Sequence, residues 1–68
     1  MRDIELQKAA KELRELFGRG VVLEEMLEMI SKKAEELQRR GIYVTEEELE
    51  KKIKEMVEIE KRLKQISR

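Results

Sequence analysis

The chain contains no cysteine, histidine, proline or tryptophan. Without cysteine it has neither disulfides nor thiolate metal sites. Without histidine, imidazole acid–base catalysis and the common zinc centres are excluded. Carboxylates are left as the only metal ligands, and they suit Ca²⁺ or Mg²⁺. Phe17 and Tyr43 are the only aromatic rings, too few for a surface that stacks nucleic-acid bases. A field of one sign is missing as well. Sixteen basic and sixteen acidic side chains cancel, and residues 1–20, 21–41 and 42–68 carry five and four, four and five, and seven and seven. Duplex DNA and anionic membrane surfaces both select for a basic excess, which no segment has. No apolar run approaches the roughly 18 residues of a membrane span. The opening Met-Arg-Asp-Ile-Glu is acidic and amphipathic, unlike a signal peptide. A soluble, cytosol-compatible protein with no cofactor, no nucleic-acid partner and no membrane contact is expected, though its compartment is unknown.

What is present is helix. At 68 residues the chain makes a single domain, which buries only about 60% of its unfolded surface and depends on regular packing or association. The most legible stretch is Leu37–Leu49. Gly41 suits the left-handed residue that ends a helix, and Ile42 follows where it can touch Leu37. Thr45 and Glu48 have the spacing of a capping box. Val44 and Leu49 have that of a hydrophobic staple.

Helix 1 is expected over residues 3–19. Leu6, Ala9, Ala10, Leu13, Leu16 and Phe17 fall within about 120° on a helical wheel, with Ile4 on the opposite side. The sequence then repeats itself once: Leu16, three residues, Gly20, Val21 matches Leu37, three residues, Gly41, Ile42, twenty-one positions later. The repeat marks Gly20, not Gly18, as the left-handed residue of the first turn.

Helix 2 is expected over 22–40, with no Ser, Thr, Asp or Asn to cap it. Leu23, Met26, Leu27, Ile30, Ala34 and Leu37 form its stripe, widened by Val22 and Met29. Helix 3, over 46–67, turns Leu49, Ile53, Met56, Leu63 and Ile66 inward, with Val57 and Ile59 on the flanks. A face that wide calls for two helical neighbours. Eight pairs place Glu four residues before Lys or Arg, from Glu28–Lys32 to Glu60–Lys64, at about 0.2–0.5 kcal/mol each.

Chemistry is harder to find. Ser31 and Ser67, the only serines, fall on helix surfaces without a base. Gly18-Arg19-Gly20 reads as a tight turn before it reads as an anion site. Glu46-Glu47-Glu48 reads as first-turn dipole chemistry before it reads as a metal site, since no EF-hand spacing accompanies it. Helix 3 as a DNA-reading helix would present Thr-Glu-Glu-Glu to phosphates, which repel it. Leu13-Arg-Glu-Leu-Phe17 is one substitution from an LxxLL box, but leucine at that spacing is how any amphipathic helix looks. Met26 and Met56 suit gap-filling, while Met29 beside Val22 is the best candidate for an exposed apolar patch. Glu60 interrupts the apolar face of helix 3, between Met56 and Leu63, as a boundary carboxylate paired with Lys64 or as a polar residue that sets register. Val22, Met26, Met29, Val57, Ile59 and Glu60 are therefore the candidate interface residues, and no residue is a candidate for catalysis.

The Leu37–Gly41–Ile42 ending, the Val44/Thr45/Glu48/Leu49 start and the Glu-to-Lys/Arg faces together resemble de novo designed helical bundles. The lack of Cys, His, Pro and Trp adds to the resemblance, while four methionines, the uncapped Val21-Val22 and the apolar Ile-Tyr-Val loop depart from it. Small hyperthermophile proteins share the charged composition. The expected fold is all-α, an antiparallel three-helix bundle, with helix exchange or side-by-side packing as its two routes to a homodimer. The apolar stripe runs in register through Gly18-Arg19-Gly20, which makes exchange conceivable. Two glycines in a helix interior and the Leu16–Gly20–Val21 ending stand against it, so the closed three-helix fold ranks first. Two roles follow, neither of them enzymatic: a structural object that folds or self-assembles, or a small module that offers an apolar helix face to another protein.

Overall fold

A computed structural model describes residues 2–66, with side chains through residue 65. Three α-helices form, α1 (Arg2–Phe17), α2 (Leu23–Arg39) and α3 (Glu46–Ile66), and each packs against the other two. The helix to residue 67, the inward Ile66 and the surface Ser67 lie outside the described residues. α1 stops two residues short of expectation. The N–H groups of Arg19 and Gly20 turn to the carbonyls of Leu16 (3.1 Å) and Phe17 (3.4 Å), three residues back rather than four. Gly20 has φ +86°, so it is the left-handed residue of this turn.

The second joint closes with every bond its sequence asks for. Gly41 has φ +82°. Its N–H donates to the Gln38 carbonyl at 3.0 Å, and that of Ile42 to the Leu37 carbonyl at 2.8 Å, the two bonds of a Schellman ending. The Glu48 N–H donates to Thr45 Oγ1 at 3.2 Å and the Thr45 N–H to Glu48 Oε1 at 3.4 Å, a reciprocal box. Val44 and Leu49 are both at 0% exposure, so the staple is part of the core. The first joint is looser. Among the described residues, Val21 makes no bond to Leu16 to match that of Ile42 to Leu37, and Val22 caps α2 without a side-chain hydrogen bond.

Ion pairs give the helix directions. Lys33 Nζ meets Glu12 at 2.8 Å and Arg40 meets Glu5 at 3.5 Å, so numbers rise along α1 as they fall along α2. Arg2 pairs with Glu48 and Arg14 with Glu60, with numbers rising together, so α1 and α3 run the same way. The chain goes up, down and up.

The core is polarised along this axis. Ala9, Ala10, Leu13, Ile30, Ala34, Leu37, Val44, Leu49 and Ile53 form it, and no polar residue is buried among the described ones. Three of the nine are alanines, which let the helices approach closely. Burial then fades toward the first joint. Leu37, Ala34 and Ile30 are buried on α2, while Leu27 is 48% and Leu23 70% exposed. On α3, Leu49 and Ile53 are buried, Met56 and Val57 half-buried, and Ile59 and Leu63 exposed. The inward positions expected for Leu16 (38% exposed), Leu23, Leu27 and Leu63 are therefore corrected. Their wheel positions are right, but no neighbouring helix covers that length of the stripe. The shape agrees. The radius of gyration is 12.7 Å, against roughly 11 Å for a compact chain of this length.

Candidate interaction surface

The open end of the bundle carries a groove of about 290 Å³. Phe17 at the end of α1, Leu23, Met26, Leu27 and Ile30 along α2, and Ile53 on α3 form its floor and walls. Glu50 and Lys54, one helical turn apart on α3, stand on its rim. The groove exists because α2 loses contact as it approaches the uncapped Val22, leaving its first two turns without a cover.

The expected interface residues do not form one surface. Val22 is exposed, and Met26 is half-buried in the groove wall. Met29, expected beside Val22 on an exposed patch, is instead half-buried and packed against the core, because it sits two turns nearer the closed end. Val57 is half-buried, and Ile59 is exposed in a separate hollow that it lines with Lys51, Lys54, Glu55, Glu58 and Arg62.

Glu60 has a partner that its own helix does not supply. Arg14 on α1 donates to Glu60 Oε2 from Nη2 at 2.7 Å and from Nε at 3.1 Å. The carboxylate thus joins α1 to α3 above the last buried layer. Arg2 does the same below it, donating to the Tyr43 carbonyl at 2.8 Å and pairing with Glu48. Sequence reasoning misses both, since pairs forty-six residues apart (2 to 48, 14 to 60) leave no local pattern. Of the eight within-helix pairs, Glu35–Arg39 closes at 3.8 Å. Glu36 is taken by Lys33 and Glu48 by Arg2.

One amine is shifted. The hydrogen bond from Lys33 to Glu12 raises the Lys33 pKa above its ordinary value, with partial burial opposing and the charges of Glu12 and Glu36 assisting. The pair bridges α1 and α2, so the shift reflects helix packing and not a reactive amine. Glu48 is engaged by Thr45 and Arg2, and no group of three or more acidic side chains among the described residues is placed to hold a metal ion. No helix among them is long and apolar enough to cross a membrane. Compared with protein families, curated proteins and solved structures, the chain matches none.

Proposed function

We propose that this chain is a non-enzymatic structural protein of designed or engineered type, whose role is to fold and self-associate through the apolar end of the bundle. The observation that carries this reading is the polarised core. One end is closed by two bonded motifs and a buried staple, while Leu16, Leu23 and Leu27 at the other end face solvent. Fully burying a leucine is worth about 1.5–3 kcal/mol, so a partner that covers this end gains several such contributions. The near-ideal second joint supports the design-like origin, since each of its positions carries the residue its geometry prefers. Nucleic acid and membranes have no part in the proposal, because neither is served by a surface of alternating charge.

A second reading rests on the groove itself. Its apolar floor between Glu50 and Lys54 has the character of a site that takes one face of an amphipathic helix from a different protein. Sedimentation equilibrium over a wide concentration range separates the two. Self-association gives a mass that rises above the 8.2 kDa of one chain. Leu23→Glu with Leu27→Glu should return the mass to one chain while helicity is kept, since both positions are exposed in the closed fold. A single-chain mass at every concentration refutes self-association and leaves the groove reading.

A further inference from the structure

Resting on that self-association reading, we infer that the partner is a second copy of this chain and that the two copies associate by exchanging α1, with the Gly18–Gly20 turn opening into continuous helix.

α1 and α2 pair by a single rule. Glu12 pairs with Lys33 and Glu5 with Arg40, and in both pairs the residue numbers add to 45 (12 + 33, 5 + 40). The apolar heptad positions beside them are Leu6, Leu13, Gly20, Leu27 and Ala34 on one row, and Ala9, Leu16, Leu23, Ile30 and Leu37 on the other. For antiparallel helices with this stagger, apolar layers form where numbers add to 43. Those layers are Leu6 with Leu37, Ala9 with Ala34, Leu13 with Ile30, Leu16 with Leu27 and Gly20 with Leu23. The first three joins use side chains that are buried or packed on the core. The last two use Leu16, Leu27 and Leu23, which the closed chain leaves exposed.

If residues 18–22 become helical, α1 and α2 form one rod, and two rods cross on a twofold axis close to residues 21 and 22. Every α1–α2 contact is then kept, now between copies, because the stagger is unchanged. The Glu12–Lys33 and Glu5–Arg40 pairs stay opposite in sign. The next step of the same charged row is Arg19 with Met26, so no like charges are brought together at the crossing. Leu16 then faces Leu27 of the second copy, and the opened turn adds the layer that the closed chain cannot form, Leu23 over Gly20, where a missing Cβ lets the rods approach.

The turn that must open is also the weaker one. It lacks the Val21 bond and the side-chain cap that its counterpart has. The second joint cannot open in the same way. Continuing the two rows by sevens past Ala34 and Leu37 lands on Gly41 and Glu48, and on Val44 and Lys51. The stripe there falls out of register.

The test uses full-length chains, which have no cysteine of their own. Glu12→Cys in one preparation and Lys33→Cys in another are unfolded together, refolded and treated with a short bis-maleimide. Exchange predicts a covalent 12–33 heterodimer. Gly18→Ala with Gly20→Ala should raise the dimerisation constant at least about a hundredfold, since each glycine relieved inside a helix is worth roughly fivefold and each dimer holds four. Gly41→Ala, with the same positive φ but no register behind it, should not raise it. A dimeric mass without the 12–33 link overturns exchange and leaves self-association standing as side-by-side packing. A monomer throughout, double variant included, overturns both. Should the double variant not fold, the link is read on the unsubstituted turn at high concentration, where its absence from a dimer is equally decisive.

Discussion

Gly41→Ala isolates how much of the second joint is backbone conformation. An added Cβ at Gly41 meets nothing within 4 Å, so crowding contributes nothing to the cost. The cost arises from φ +82°, which is worth about 1–2 kcal/mol for an L-residue. Part of that is offset by about 0.4–1 kcal/mol, because alanine leaves the unfolded chain fewer conformations than glycine. The net loss is about 1 kcal/mol. Unfolding entropy near 2.1 cal/mol/K per residue gives about 140 cal/mol/K for this chain, so the Tm should fall by about 7 °C. A chain of this size is accessible to chemical synthesis, which permits the opposite perturbation. D-Alanine at position 41 keeps the reduced unfolded-state freedom and prefers the native φ. It should therefore raise the Tm by roughly 3–7 °C. Both melts are followed by far-UV circular dichroism at one low protein concentration, because association makes the Tm concentration-dependent. If the two epimers shift the Tm in the same direction, the left-handed backbone is not what this glycine supplies, and the account of the joint fails.

Arg14→Ala, Glu60→Ala and the pair form a double-mutant cycle whose coupling should lie at or below about 1 kcal/mol and shrink with added salt, since Glu60 is exposed and Arg14 only half-buried; a larger, salt-independent coupling would mean that the pair is shielded from solvent. Lys33 has a raised folded pKa, so its contribution is fully present below the unfolded lysine value of about 10.4 and is lost as pH rises through the folded one. Alkaline denaturation should accordingly be less steep in Lys33→Met than in the parent, and identical slopes above pH 10 would remove the assigned role of the Glu12 bond.

Much of the fold can be read without coordinates because much of it is local. The Leu37–Leu49 joint involves groups within six residues of one another, so glycine, threonine, glutamate and the two staple residues specify it by spacing alone. The left-handed role of Gly20 is legible for the same reason, from the repeat at Gly41. The candidate surface is only half legible. Val22 and Met26 lie at the open end, but Met29 packs against the core, and Leu16, Leu23 and Leu27 are exposed where a helical wheel turns them inward.

Composition, spacing and periodicity by themselves determined three helices, their joints and the azimuth of each apolar stripe, because these depend on hydrogen bonds and side-chain contacts between near neighbours in the chain. Only the tertiary structure decided how far along each helix the stripe is covered and which charges meet across helices. A wheel assigns direction around a helix axis, not the presence of a neighbour at a given height. Burial of Ala9, Ala10 and Ala34 together with Leu37, Val44 and Leu49 sets the core toward the second joint and leaves the first open, and the shared direction of α1 and α3 gives Glu60 an arginine from another helix.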